Sequence, residues 1–166
     1  MERFVSFEPE NPAPFDLICY DFDGVMTDNR VYISEAGVES VIVNRSDGLA
    51  IAALNRLNVR QTIISTEESP VVGVRAKKLK IPVLQGVSDK AERLKRLAIE
   101  EGIDLARAAY IGNDLNDLEA MRLVGSPVAP SDAHPSILEI AVYVALVPGG
   151  AGVIRDFCDR FYPGVI

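Results

Sequence analysis

Two cysteines, one histidine and no tryptophan leave this 166-residue chain little material for several kinds of chemistry. Cys19 and Cys158 stand far apart, neither in a metal-spaced cluster, so a zinc site has no support and a reducing compartment is compatible. The lone His134, followed by Pro135, lacks a partner set for a serine-type triad and reads as a residue at a helix start. Long apolar runs are missing too. The longest, Ile140 to Val147, is too short to span a bilayer. The opening residues, with Glu2, Arg3 and Glu8 among them, have no signal-peptide core. Positive charge is also in deficit: 17 Lys and Arg against 24 Asp and Glu give a net charge of −7. Such a chain is poorly suited to a phosphate backbone, and an anionic substrate would need local donors or a bound cation. These absences predict a cytoplasmic protein with no nucleic-acid and no membrane partner.

What is present fits one domain over residues 1–166, with 48% hydrophobic and 25% charged residues and enough length to bury a core. Its most informative segment is Leu17 to Asp28, where an apolar run delivers Asp21 and Asp23 and then breaks at Gly24. The run reads as a buried strand with the two carboxylates at its carboxyl end. Two acids that close repel each other and resist desolvation unless a cation or a proton intervenes. The plainer alternative is a solvated turn made by Asp23 and Gly24.

Val31 to Ser34 and Val38 to Val43, separated by Glu35-Ala36-Gly37, read as an unusually apolar β-hairpin. An isolated ribbon is marginal in water, so this one is expected to pack on something, with another subunit the natural candidate. Beyond it, helix and strand patterns alternate: helix Asp47 to Leu57, strand Gln61 to Ser65, and a helix from Ser69-Pro70 to Leu79. A short strand, Pro82 to Leu84, is followed by a helix capped at Ser88 or Asp89 and stopped at Gly102, then by strand Ala108 to Ile111. Helix Asn116 to Val124, strand Pro127 to Ala129, helix Pro135 to Ala141, strand Tyr143 to Leu146 and helix Val153 to Phe161 complete the pattern. This order implies an α/β fold with a doubly wound parallel sheet, the hairpin projecting from it. Ligands of such sheets sit beyond the carboxyl ends of the strands, at a topological switch point.

Four predicted strands end in polar residues that would meet at that edge. They supply Asp21 and Asp23, then Ser65-Thr66-Glu67, then Lys90 after a short loop, then Gly112-Asn113-Asp114-Leu115-Asn116-Asp117. Singly, Ser65 and Lys90 are ordinary solvated or strand-end residues and Asp114 and Asn116 ordinary helix caps. Together they suit phosphoryl transfer. A carboxylate can attack phosphorus to form an aspartyl-phosphate, provided a hard cation bridges the like-charged reactants. A hydroxyl and a lysine can hold the phosphoryl oxygens, and a second carboxylate can protonate the leaving oxygen and then activate water.

The order Asp-Phe-Asp-Gly-Val-Met-Thr-Asp, Ser65, Lys90 and Gly112 to Asp117 resembles the haloacid dehalogenase superfamily of phosphatases, from about Phe15 to the end of the chain. The resemblance implies Asp21 as nucleophile and Mg²⁺ ligand, Asp23 as general acid/base that also ligates through its carbonyl, and Ser65 and Lys90 as phosphate-binding groups. Asn113 and Asp114 would complete the metal site, supported by Asp117 and Thr66. The hairpin, Asp47-Gly48-Leu49 and the tail Gly149 to Arg155 resemble the cap-less group acting on 3-deoxy-2-keto sugar acid phosphates and the related domain of acylneuraminate cytidylyltransferases. In that group hairpins assemble a homotetramer and the glycine-rich tail can reach a neighbour's site, which makes Arg155 a substrate-binding candidate. Octulosonate enzymes of the group carry arginine two residues after the motif hydroxyl. Glu67 here, with Lys78, resembles the nine-carbon type acting on KDN or sialic acid 9-phosphate rather than KDO 8-phosphate.

Two departures stand out. Asn113 occupies a position where the family carries aspartate, removing a negative charge from the metal site, and Ser46 separates Arg45 from Asp47 where relatives read Arg-Asp-Gly. They keep a second reading in view, a non-catalytic oligomerisation or regulatory domain. The retained acid pair, Ser65 and Lys90 weigh against it. A phospho-accepting receiver domain would leave the hairpin and the Gly112 to Asp117 loop without a role.

Overall fold

The computed structural model describes residues 14–166, so the reading of the opening residues as lacking a signal-peptide core lies outside it. Strand β1, Leu17–Tyr20, is buried on both faces, which is why its sequence is an unbroken apolar run. Ile18 and Tyr20 point into one core, Leu17 and Cys19 into the other. After β1 come the hairpin strands β2 (Tyr32–Ile33) and β3 (Glu39–Ser40), then helix α1 (Arg45–Arg56), β4 (Arg60–Ile64), α2 (Pro70–Leu79) and β5 (Val83–Leu84). The second half runs through α3 (Lys90–Glu101), a 3-10 turn at Leu105–Arg107, β6 (Ala108–Ile111), α4 (Leu118–Met121), β7 (Ser126–Ala129), α5 (Pro135–Ile140), β8 (Tyr143–Val144) and α6 (Val153–Phe161).

Six strands form one parallel sheet in the order β5-β4-β1-β6-β7-β8. Helices α1, α2 and α6 cover the face carrying Ile18 and Tyr20, and α3, α4 and α5 cover the other. The expected doubly wound α/β fold is what forms. From β1 the chain first builds outward through β4 and β5, then returns to β6 on the opposite side. The strand order therefore reverses between β1 and β6, the place where such sheets bind ligands. Among the described residues no helix is long and apolar enough to cross a membrane.

Local chemistry explains most helix ends. Asn44 caps α1 by accepting from the Ser46 N–H at 2.8 Å, so the helix begins two residues before the expected Asp47. Asp89 caps α3 through the Glu92 N–H at 2.9 Å, and Gly102 closes it in the left-handed conformation. Ser69 occupies the cap position of α2 with Pro70 next, yet its side chain makes no capping bond. His134 starts α5, its Nδ1 accepting from the Ser136 N–H at 3.2 Å. Both cysteines are buried and free.

Two expectations are corrected. The helix foreseen over Asn116 to Val124 shrinks to α4, because residues 114–117 form a tight turn closed by the Asp117 N–H on the Asp114 carbonyl at 2.9 Å. The hairpin arms pair over only two residues each, Tyr32 opposite Ser40 and Ile33 opposite Glu39. Among the described residues none covers the ribbon's outer surface: Tyr32 is 78% and Ile42 77% exposed. The glycine-rich tail lies against its own chain, with the Gly150 N–H on the Val25 carbonyl at 3.0 Å and the Gly149 N–H on Asp132 Oδ1 at 2.9 Å. A side chain at Gly150 would collide with the backbone of Thr27 and Asp28, so the close approach requires glycine.

Candidate active site

The sheet itself sets the spacing of the site. The Asp21 N–H donates to the Ile111 carbonyl at 2.9 Å and the Gly112 N–H to the Val128 carbonyl at 3.1 Å. These bonds carry the ladder one residue past β1 and β6 and hold Asp21 beside the Gly112 to Asp117 loop. Gly24 then turns the chain with φ +86°, and a side chain there would run into the Asn113 amide. The acid pair and the downstream loop thus meet through backbone geometry that only glycine satisfies.

Lys90, at the first position of α3, is buried between two carboxylates, its Nζ 2.8 Å from Asp21 Oδ1 and 2.7 Å from Asp117 Oδ1. Asp117 is fully buried and also accepts from the Tyr110 hydroxyl at 3.1 Å and the Asn113 N–H at 3.0 Å. Asp21 Oδ1 further accepts from the Phe22 N–H at 2.7 Å. Two acids thus share one ammonium in a largely buried cluster that meets the cavity only at Asp21. Burial, and then the nearby Asp117 charge, push Asp21 well above the usual carboxylate range despite Lys90. For Lys90, burial alone would lower the pKa, but Asp21 and Asp117 outweigh it and the ammonium is held on. Asp23 is raised by burial, then by Glu67.

The remaining oxygen of Asp21 faces differently. One terminal atom of the Asn113 amide lies 3.2 Å from Asp21 Oδ2 and 2.9 Å from the Asp23 carbonyl oxygen. With nitrogen at that point the amide donates to both. With oxygen there, it faces two other oxygens and needs a cation, or a proton on Asp21, between them; the two orientations differ by a simple amide rotation. Separations of this size match the edge of an oxygen octahedron around Mg²⁺, about 2.9 Å for metal–oxygen bonds near 2.0–2.1 Å. A cation at this point would meet one carboxylate, one main-chain carbonyl and one amide. Among the described residues no group of three His, Cys, Asp or Glu side chains could hold a metal by itself.

Above these residues opens a cavity of about 310 Å³, floored by Asp21, Asp23 and Asn113 and walled by Thr66, Glu67, Ser69, Val71 and Val72 on one side and Asn29, Arg30, Val31, Glu39 and Val41 on the other. Asp114 and Asn116 complete the rim. Of the residues singled out from sequence, Asp21, Asp23, Thr66, Glu67, Asn113 and Asp114 line this space. Ser65 and Lys90 lie just beneath it. The Ser65 hydroxyl is 1% exposed and accepts from the Glu67 N–H at 3.1 Å. Asp117 stands behind the floor as the anchor of Lys90 and the loop.

Lys78 and Arg155 are not brought to the cavity. Lys78 sits in the last turn of α2, exposed, and Arg155 pairs its Nε with Asp159 at 2.9 Å on α6. Both were implied by the family resemblance, Lys78 as a companion of Glu67 and Arg155 as part of a tail that reaches a neighbouring subunit's site; within one chain neither lines the cavity. The hairpin side of the wall, with Asn29, Arg30 and Glu39, was missed because the ribbon read as an assembly surface alone. The signal available was Asp28-Asn29-Arg30, a turn sequence directly after the acid motif. Tyr110 was read only as a strand residue.

A profile of the haloacid dehalogenase-like hydrolase family matches residues 53–155, and the chain belongs to that family. It is 39% identical over 144 residues to the 3-deoxy-D-manno-octulosonate 8-phosphate phosphatase of Yersinia pestis, covering 86% of this chain and 76% of the relative. A HAD-family hydrolase structure from Streptomyces avermitilis superimposes with a TM-score of 0.89 at 46% identity, covering 91% of this chain and 87% of the other. The 3-deoxy-D-manno-octulosonate 8-phosphate phosphatase of Moraxella catarrhalis, solved with magnesium ion, phosphate ion and a KDO molecule, superimposes with a TM-score of 0.86 at 31% identity, over 90% and 86% of the two chains.

Proposed function

We propose that this protein is a Mg²⁺-dependent phosphomonoester hydrolase that works through an aspartyl-phosphate on Asp21 and takes a 3-deoxy-2-keto sugar acid phosphate. The observation that carries the reading is the Asn113 amide lying 3.2 Å from Asp21 Oδ2 and 2.9 Å from the Asp23 carbonyl at the cavity floor, with Lys90 gripping the other Asp21 oxygen. Those three donors would hold Mg²⁺, with Asp114 on the rim beside them. When bound, the ion would neutralise charge between the phosphoryl group and Asp21.

Asp21 supplies the carboxylate oxygen that forms a bond to phosphorus as the ester oxygen leaves. Lys90 and the Phe22 N–H fix Oδ1 and so orient that carboxylate before the substrate arrives. Asp23, half-buried with its pKa raised, holds a proton for the departing oxygen. Once ionised, it takes a proton from the water that attacks phosphorus and releases Asp21. The third hydrogen of Lys90 and the Ser65 hydroxyl are the donors for phosphoryl oxygens. A purely assembling or regulatory module has no use for this buried acid-lysine cluster.

The relatives' names support KDO 8-phosphate as substrate. Glu67 on the wall favours a nine-carbon KDN or sialic acid 9-phosphate, as an acceptor for sugar hydroxyls, although Lys78, its expected companion, stands away. The exposed apolar hairpin supports assembly as a homotetramer through that ribbon, and two free buried thiols suit a cytoplasmic setting. Release of inorganic phosphate from KDO 8-phosphate, KDN 9-phosphate and N-acetylneuraminate 9-phosphate, with and without Mg²⁺, tests the reading. Mg²⁺-dependent turnover of at least one ester is expected. No turnover of any would overturn it in favour of a non-catalytic domain.

A further inference from the structure

The cavity is charged almost entirely one way. Asp21, Asp23 and Asp114 lie at its floor and rim, Glu67 and Glu39 on opposite walls, and Arg30 is the one cationic residue among its described lining residues. A cation at the floor accounts for a phosphate there. It does nothing for a second anionic group farther out, which would meet Glu39 and Glu67.

Arg30 is held in place by the catalytic loop itself. Thr27 Oγ1 accepts from the Gly24 N–H and the Asn29 N–H, both at 3.2 Å, and Asp28 Oδ1 accepts from the Arg30 N–H at 3.2 Å. Asn29, at φ +63°, turns the chain so that Arg30 follows on the hairpin side of the wall. The guanidinium has no hydrogen bond or ion pair among the described residues, and what sets Arg30 apart from the other described arginines is its place in the cavity lining. Arg30 is exposed and lines a cavity whose other charged residues are acids, and a free guanidinium offers a planar fork able to donate two parallel hydrogen bonds to a carboxylate.

We propose that Arg30 is the specificity-determining residue that seats the substrate's carboxylate, so that the cavity selects phosphate monoesters bearing a second anionic group over neutral ones. The assignment rests on the phosphatase reading for its substrate and on the cavity for its site. It also gives the hairpin base a part in the active site besides assembly.

The test compares the wild-type protein with Arg30→Met and Arg30→Lys on KDO 8-phosphate and on arabinose 5-phosphate, a neutral sugar ester, in saturating Mg²⁺. Arg30→Met is expected to raise KM for the sugar acid ester roughly 10- to 100-fold with little change in kcat, as loss of a charged hydrogen-bonding pair implies. Arg30→Lys recovers part of the loss, and the neutral ester is handled within about twofold of wild type by both variants. Equal losses on both esters, or no loss on the acid, would overturn the assignment while leaving the phosphatase intact. Calorimetric titration with KDO, which needs no turnover, separates the two claims. Weaker KDO binding by Arg30→Met sustains the assignment even if no ester is hydrolysed; unchanged binding, or no binding by the wild-type protein, overturns it.

Discussion

Replacing Asn113 by Asp restores a full negative charge at the metal-facing floor, and the structure sets the size of the effect. The Asn113 amide lies 3.2 Å from Asp21 Oδ2. At that distance two carboxylates repel by roughly 5 kcal/mol at an effective dielectric near 20. The metal-free variant avoids part of this by taking up a proton, and we expect it to lose about 2–4 kcal/mol of stability, a fall of roughly 5–15 °C in melting temperature for a domain of this size. Mg²⁺ reverses the balance, since the added carboxylate becomes a ligand. Each tenfold tightening of binding contributes about 1.4 kcal/mol at saturating ion. Melting curves without metal and with millimolar Mg²⁺, together with calorimetric Mg²⁺ titration, read both halves. The variant should be less stable than wild type without metal, gain more from Mg²⁺, and show a dissociation constant at least about tenfold lower. Identical Mg²⁺ affinity and identical thermal gain would show that Asn113 is not a ligand.

Asp47 predicts a pH effect away from the site. Its Oδ1 accepts the Arg155 N–H at 2.9 Å, tying α1 to α6, while Oδ2 has no hydrogen-bond partner among the described residues and burial lifts the carboxyl to about 6. Between about pH 4 and 6 the folded chain keeps a proton the unfolded chain has released, so this group's contribution to stability falls as pH rises, by up to about 3 kcal/mol. Asp47→Asn keeps an acceptor and cannot ionise; its stability relative to wild type should rise across that window and level off above pH 7, and parallel denaturation curves from pH 4 to 8 would refute this. At the hairpin, the double variant Tyr32→Glu with Ile42→Lys places charge on two side chains exposed in the single chain and should lower the mass of the assembly measured by light scattering. A mass unchanged from wild type would reject the ribbon as the assembly surface.

The elements legible in the sequence were those whose residues answer to local rules. Strands β1 and β6 are buried on both faces and therefore appear as continuous apolar runs, and α3 carries its own cap and stop at Asp89 and Gly102. Asp21, Asp23 and the Gly112 to Asp117 loop could be brought together on paper because a doubly wound sheet places the ends of β1 and β6 side by side. Where tertiary demands override local pattern, the reading failed. Asn116 and Asp117 were expected to open a helix, but Asp117 folds its side chain back to hold Lys90 and the Asn113 N–H, and a turn replaces the first part of the helix. Lys78, foreseen beside Glu67, does not line the cavity because helix phase, not sequence order, decides which way a side chain on α2 points. Arg30 escaped notice for the opposite reason. A single arginine in a turn has no pattern, and its place on the cavity wall exists only once Thr27 and Asp28 have set the path of the backbone.

Acid quenching of the enzyme during turnover of ³²P-labelled KDO 8-phosphate tests most directly whether Asp21 is the group that receives phosphorus. The account predicts label on the protein that hydroxylamine removes, that maps to the peptide containing Asp21, and that is absent from a folded Asp21→Asn variant devoid of turnover. Label on another residue, or phosphate release that persists in Asp21→Asn, would contradict it.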